Sequence, residues 1–454
     1  MERLKNHNFY EEMVAIALPI TLQNLIANSV NMLDTLMISS LGEKSLAAVG
    51  FANQVFFLYA VTIFGISTGA SVFIAQFWGK RDGENIKKVL GLSLTLSSIL
   101  GIIFTLLVIL FPQSIMRIFS KDPEVIKLGM DYLGIVVFTY IITGLSFSYS
   151  VASRSIGQAK MPMVVSIISF VTNGVFNYLF IFGKFGFPKL GVKGAAYGTL
   201  IARIVEMLII LYAIYSDEEN PLAGKLKELT NWNRNFIKKY LNTSYPVMIN
   251  EALWSLGNVM YSVAYSKIGT EAAASVQILN TVYNLFMVLA RGMANACTVM
   301  VGNKIGADEE DIAIDYANKF LKISLINGVI LGGVLYFSSG VILKIFRNLS
   351  PEVYTMSKQL LTVLALFFFL KALNSTLIVG VLRGGGDTKF SMKLEMAAVW
   401  LVGVPLAFLG ATVFKLPVHL VVALVYMEEV VKTSVGIPRV MSKKWVKNVI
   451  QDMN

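Results

Sequence analysis

The stretch Pro19-Ile20-Thr21-Leu22-Gln23-Asn24, continuing through Asn28 and Val30-Asn31-Met32-Leu33-Asp34-Thr35 to Leu41-Gly42, decides the fold. It is long enough to cross a bilayer as a helix, for which about 20 apolar residues suffice. Yet it holds a carboxylate, Asp34, with no Lys or Arg between Met13 and Lys44. An acid at the centre of a membrane helix costs about 2.5–3.5 kcal/mol on insertion scales, so it calls for a partner, a proton, a cation or a wet cavity. At 100° per residue, Gln23, Asn24, Asn28, Asn31, Asp34 and Thr35 share a face about 140° wide. That face reads as the lining of a cavity.

The whole chain fits this reading. Of 454 residues, 55% are hydrophobic and 15% charged, and the mean hydropathy is +0.65. A soluble domain carries about 25% charged residues, so the composition points to a polytopic membrane protein. The single Cys297 excludes an intramolecular disulfide, and with His7 and His419 far apart no metal-ligand cluster is expected. The net charge of +11 sits in short loops between apolar runs, which fits membrane topology and not nucleic acid. The polar start MERLKNHNFYEEM leads straight into a full-length span, so no cleavable signal peptide is expected.

Apolar runs fall near 14–41, 46–78, 88–111, 126–152, 161–182 and 192–215, then near 240–268, 272–304, 315–346, 354–382, 390–411 and 417–440. The fold expected is an all-α membrane protein of twelve transmembrane helices in two six-helix bundles. Residues 1–215 form the first lobe, 216–239 a cytoplasmic linker, 240–440 the second lobe and 441–454 a cytoplasmic tail. Lys and Arg are more numerous in the loops on the side of the N-terminus, which places both termini in the cytoplasm. The halves repeat. At an offset of 227, residues 17–80 align with 244–307 without a gap and with 13 of 64 positions identical. Pro19 meets Pro246, Asn31 meets Asn258, Gly42 meets Gly269, Asn53 meets Asn280, Gly65 meets Gly292 and Gly79 meets Gly306. At an offset of 229, Arg154, Gly157 and Lys160 meet Arg383, Gly386 and Lys389. Six spans separate the copies, so they share one orientation, as in a parallel pseudo-two-fold repeat around a central cavity.

These residues resemble the multidrug and toxic compound extrusion (MATE) family. The resemblance is carried by Ala17-Leu18-Pro19 through Asn31 and Asp34-Thr35 to Leu41-Gly42, and by Gln76-Phe77-Trp78-Gly79-Lys80. It continues in Asn173 to Gly183, in Gly186-Phe187-Pro188 through Gly191 and Gly194-Ala195-Ala196 to Thr199, in Pro246 to Glu251, and in Gly380 to Thr388. It implies two six-helix lobes, no enzymatic activity, and export of organic, mostly cationic compounds against inward Na⁺ or H⁺ by alternating access. Asp34 matches the family's first-helix acid, and Glu251 the seventh-helix acid of its NorM-like branch. Asn173 and Asn177 match fifth-helix positions that join Asp34 in a cation site. The tenth-helix acid of that branch is absent, with Ala372 at its position beside Lys371.

On their own chemistry, Asn173, Asn177 and Thr199 offer neutral oxygens beside the single carboxylate of Asp34, a set suited to a monovalent cation. The same acid is equally suited to a proton; its bland alternative is an acid that fixes helix packing. In the second lobe, Glu251, Tyr261, Tyr283 and Lys371 are the candidates for a substrate or proton site. Glu251 is alternatively neutralised by Lys371 or Arg291, and a Glu251–Lys371 pair is expected. Arg203 and Glu206 are spaced for a pair within one helix. Arg383 to Lys389 reads as a cytoplasmic turn, while Glu395, Glu428 and Glu429 are expected near helix ends or in local pairs. The 20 Met, 29 Phe and 18 Tyr offer cavity-lining candidates in Tyr140, Phe147, Tyr149, Trp254, Tyr261, Tyr265 and Tyr283. Ser146, Ser148 and Ser150 mark a cavity wall or a close helix contact.

The function expected is a plasma-membrane antiporter, working as a monomer and with no cofactor besides its coupling ion. It handles small organic cations and no nucleic acid. The alternative is a lipid-linked saccharide flippase of the same superfamily, kept open by Lys371 and Arg291. HExxH and Walker sequences are absent, which excludes the corresponding enzymes and an ATP-driven pump.

Overall fold

The structure is a computed structural model that describes residues 9–346, 349–451 and 453. The polar start up to residue 8, with His7, and the last residue lie outside the described residues, and so do the expectations that rest on them. The first half runs α1 (Phe9–Ser39), α2 (Glu43–Gly79), α3 (Gly83–Leu110), a two-piece α4 (Pro123–Val136 and Thr139–Ser155), α5 (Lys160–Phe182) and α6 (Val192–Tyr215). The second runs α7 (Arg234–Ser266), α8 (Thr270–Gly306), α9 (Glu310–Ile345), α10 (Pro351–Arg383), α11 (Thr388–Val413) and α12 (Val418–Val425 and Met427–Met441). Among the described residues no strand forms; the one isolated bridge joins Gly386 to Val446.

Among the described residues nine of these helices are long and apolar enough to cross a membrane, and ten if the pieces of α4, bent by 49°, count as one span. The more polar α7 and the interrupted α12 complete the twelve long segments; two short helices, Pro112–Phe119 and Leu226–Leu229, lie in connections between them. Arg234, Lys238 and Lys239 open α7, and Glu428, Glu429 and Lys432 sit within α12.

Local sequence explains where helices start and stop. Asp122 and Ser350 cap the starts of α4 and α10, accepting hydrogen bonds from the backbone of Glu124 and Val353, each with Pro at the first helical position. Asp82 caps α3 by accepting from Asn85. Gly42 turns the chain between α1 and α2 at φ +104°, a backbone conformation that favours glycine.

The repeat is visible in the helix boundaries. α1 ends at Ser39 and α7 at Ser266, while α2 and α8 begin and end 227 residues apart. Arg81 and Asp308 follow them with the same left-handed backbone, φ 62° and 60°. Gly157 and Gly386, at the offset of 229, sit at φ 81° and 88°.

The chain forms two compact units. One contains the described residues of 9–21, 79–81 and 242–451; the other contains 22–78 and 82–241. α1 therefore divides just after Pro19, where the missing backbone donor interrupts the helical ladder. The early part of α1 packs with second-half helices through Phe9, whose ring meets those of Tyr316 and Phe320 edge-on. In that unit, α8, α10 and α12 share a core of Leu279, Leu360, Leu364, Phe368, Val421 and Val425. α9 presents Gly328 and Gly332 to α10, so closely that a Cβ on Gly332 would lie 2.6 Å from the carbonyl oxygen of Ala365. In the other unit, Ser148 bonds Ser93 at 3.2 Å and Ser97 at 3.1 Å, joining α4 to α3. This resolves the serine-rich stretch of α4 as a close helix contact. Large apolar side chains such as Leu106, Leu110, Phe337 and Ile345 point outward, as lipid-facing residues do.

Gly332→Val should overpack the α9–α10 contact and destabilise by about 1–3 kcal/mol. Gly333→Ala, where nothing lies within 4 Å of a Cβ, should stabilise by about 0.5–1 kcal/mol. Thermal unfolding of the two purified variants reads the opposite signs.

Candidate functional site

Asn173 and Asn177 stand four residues apart on α5 and so share one face. That face meets α6 where Gly194, Gly198 and Ala202 recur every four residues and let the backbones approach. A Cβ on Gly198 would lie 2.1 Å from Asn177 Oδ1, so only glycine leaves room for this amide. Asn177 Nδ2 donates to Asp34 Oδ1 at 2.6 Å and to Asn173 Oδ1 at 3.2 Å. Asn173 Nδ2 donates to Thr199 Oγ1 at 3.5 Å, and Thr199 donates to the carbonyl of Ala195 at 3.0 Å. The four residues expected to meet do meet.

Asn173 and Asn177 are buried, and Asn177 Oδ1 receives no hydrogen bond. Among the described residues Asp34 takes part in no salt bridge. Arg203 is committed to Glu206 at 2.7 Å, as its spacing implies, and Glu206 also accepts from Ser169 at 3.2 Å. The site is thus one carboxylate among amide and hydroxyl oxygens, one of them without a partner. Oxygen ligands with a single negative charge fit a hard monovalent cation or a proton. The polar face of α1 is accessible: Asn28, Asn31 and Thr35 are exposed, and Gln23 and Asn24 half-buried.

The second half arranges its charges differently, and the expected Glu251–Lys371 pair is not the one that forms. Lys371 bonds Glu429 at 3.3 Å, and its ammonium stands over the rings of Tyr426 and Tyr283 at 4.0 and 5.1 Å. Glu429 also faces Lys432 at 3.5 Å and accepts from Asn374 at 2.8 Å. Lys432 reaches Glu428 at 3.1 Å, and the Tyr261 hydroxyl donates to Glu428. Two acids and two bases close a neutral network across α7, α10 and α12. Glu251 instead accepts from Arg383 Nη1 at 2.6 Å, while Arg383 Nη2 donates to Glu395 at 3.0 Å. Asn250 Nδ2 donates to Glu395 as well. Arg291, the other expected partner of Glu251, donates to Asn284 at 3.0 Å.

Arg383 therefore does not belong to the turn that follows it. It closes Thr376–Arg383, wound as a π-helix, and is only 2% exposed. Thr298 of α8 donates to the Val379 carbonyl within that widened segment at 2.8 Å. Sequence reasoning passed over Arg383, Asn374 and Lys432 and left the three late glutamates without roles. The available signal was the set of charges inside the spans of α11 and α12, together with the i,i+4 spacing of Glu428 and Lys432. Of the aromatic candidates, Tyr140 is buried and stacked on Tyr59 at 5.1 Å, and the buried Tyr149 shares a 3.1 Å hydrogen bond with Tyr215. Both serve packing in the first half.

A family model described as MatE matches residues 19–179 and 246–409, which takes in both copies of the repeat. The chain belongs to the MatE family. It is 28% identical over 406 residues to a protein of Thermotoga maritima named "Probable multidrug resistance protein NorM", covering 89% of this chain and 86% of that one. It is 26% identical over 416 residues to the "Probable multidrug resistance protein YoeA" of Bacillus subtilis, covering 90% and 88%. Among solved structures, a transporter from Pyrococcus furiosus, titled as a member of the MOP superfamily, shares the fold with a TM-score of 0.86. That match covers 96% of this chain and 97% of that one at 22% identity. An outward-facing MATE transporter likewise has a TM-score of 0.86 at 22% identity. This MatE chain is a multi-pass membrane transporter and not an enzyme, with the twelve-helix, two-lobe fold that its repeat implies.

The buried network makes a measurable statement. Breaking a buried pair from one side costs about 3–5 kcal/mol, because the remaining charge is left uncompensated. Lys371→Met should therefore destabilise strongly, and Lys371→Met/Glu429→Gln should recover part of the loss. A thermal-unfolding cycle of Lys371→Met with Glu251→Gln should show no comparable coupling.

Proposed function

We propose that this protein exports small organic cations across the plasma membrane, as a monomer, in exchange for inward movement of Na⁺ or H⁺. The observation that carries the reading is Asp34, a carboxylate inside an apolar helix whose partners are all neutral. An acid so placed gains most by taking up a monovalent cation or a proton. The multidrug names of the NorM and YoeA relatives support an exporter of drug-like compounds. Charge placement in the loops supports cytoplasmic termini.

Coupling follows from differential affinity. If the coupling cation and the organic cation favour different conformations, each expels the other as the protein moves between its outward-open and inward-open states. Asp34, Asn173, Asn177 and Thr199 hold the coupling cation, and the polar face of α1 guides it there. The Glu251–Arg383–Glu395 network holds two acids to one base, which supports a second place for a proton. Glu428 and Glu429 are matched by Lys371 and Lys432 and need no external cation. The same match weakens the flippase alternative, since the Lys371 charge is spent on Glu429 and does not serve an anionic lipid.

Dye efflux from proteoliposomes, under Na⁺ and H⁺ gradients imposed separately, tests the proposal. Asp34→Asn should abolish gradient-driven efflux of ethidium while the protein still inserts and folds; efflux at the wild-type rate would overturn the assignment. Gly198→Ala should act through position alone. By pushing Asn177 away from Asp34 it should weaken the cation's effect on efflux roughly tenfold, about the worth of one charge-assisted hydrogen bond.

A further inference from the structure

The repeat places Arg154 of α4 where Arg383 stands in α10, and both arginines lie at the last turn of their helix. Both are buried, Arg154 at 8% exposure and Arg383 at 2%. Their surroundings differ in charge. Arg383 is held by Glu251 at 2.6 Å and Glu395 at 3.0 Å, with Ser391 accepting from Nε at 3.4 Å. At the repeat positions of Glu251 and Glu395 the first half has Asn24 and Ser166, and at that of Asn250 it has Gln23. Arg154 Nη1 donates to Gln23 Oε1 at 3.4 Å, and the guanidinium stands 5.9 Å from the centre of the Phe147 ring. Among the described residues no carboxylate pairs with it.

A guanidinium stays charged at every working pH, and taking it out of water costs several kcal/mol unless an anion compensates. In the second half the protein supplies that anion twice over. In the first half it supplies one neutral amide, that of Gln23, and an aromatic ring. Gln23 and Asn24 are half-buried on a face of α1 that continues to the exposed Asn28 and Asn31, so a ligand can reach the arginine along a polar strip. From Gln23 to Asp34 the helix rises about 16 Å, which keeps an anion at Arg154 clear of the cation site.

We propose that Arg154, with Gln23 and Asn24, binds the carboxylate of zwitterionic substrates, aromatic compounds that carry one cationic centre and one carboxylate. The guanidinium offers a carboxylate two parallel charge-assisted hydrogen bonds, the amides bind its remaining lone pairs, and Phe147 lies beside the aromatic body. The role of this site in export rests on the reading above. Binding itself is measured at equilibrium without a gradient, so a failure of cation coupling and a failure of carboxylate recognition give different results.

The test uses the full chain in nanodiscs of phosphatidylcholine, titrated with rhodamine 110 and with rhodamine 123, the methyl ester of the same acid. Wild type should bind the free acid more tightly than the ester. In Arg154→Gln the ratio of acid to ester affinity should fall roughly tenfold or more, the loss of a charge-assisted pair. Asn24→Glu installs the carboxylate that Arg383 enjoys, keeps the guanidinium paired and protects folding. It should abolish the preference for the acid and raise the Tm. Equal affinity of wild type for the two dyes, no binding of rhodamine 110, or an unchanged ratio in Asn24→Glu would overturn the proposal. So would an effect seen only with lipid: if phosphatidylglycerol stabilises wild type but not Asn24→Glu while dye preference is absent, the guanidinium serves a lipid phosphate.

Discussion

A 2.6 Å hydrogen bond from the neutral amide of Asn177 to the carboxylate of Asp34 sets the terms for the rest of this transporter. In a medium of low dielectric every charge must find compensation, and here a carboxylate has been given dipoles in place of a base. The arrangement depends on close helix packing. Asn177 reaches Asp34 because Gly198 leaves room for its amide, and Gly194 and Gly198 let α6 lie against α5. The small-residue spacing of α6 therefore sets the surroundings of Asp34 as well as the helix packing.

The repeat turns this local fact into a comparison between halves. Position 34 carries an acid in the first half, and its counterpart Tyr261 instead donates a hydrogen bond to Glu428. Glu428 stands 229 residues after Thr199, and Lys432 as far after Arg203. The second half has thus moved its carboxylate from the first helix of the lobe to the last and neutralised it with a lysine one turn on. The same holds for the arginines: Arg383 has two acids and Arg154 none. A duplicated scaffold has kept its glycines, prolines and turns and divided its charges unequally. The second half is internally compensated in its lysine–glutamate network. The first half retains an acid, Asp34, and a base, Arg154, that form no ion pair among the described residues.

Several features are legible in the sequence. Hydropathy runs and the 227-residue offset gave the helices and the repeat, because span length and turn chemistry are local properties. The polar face of α1 and the four-residue spacing of Asn173 and Asn177 made the first-half site readable, since each is a pattern within one helix. The pairings of the second half were not readable. Lys371 with Glu429 and Arg383 with Glu251 join residues 58 and 132 positions apart, and nothing in a single helix chooses among four acids and three bases. The widened winding of Thr376–Arg383 turned Arg383 inward, against its reading as part of a turn.

By itself the sequence determined which segments span the membrane, that they form two copies of one scaffold, and that one copy holds an unmatched acid. These follow from the free energy of placing apolar and charged groups in lipid, which depends on residue type and order along the chain. The tertiary structure decided which charges neutralise one another and which have neutral partners only. That choice depends on distances of a few ångströms between side chains on different helices, and only packing sets such distances.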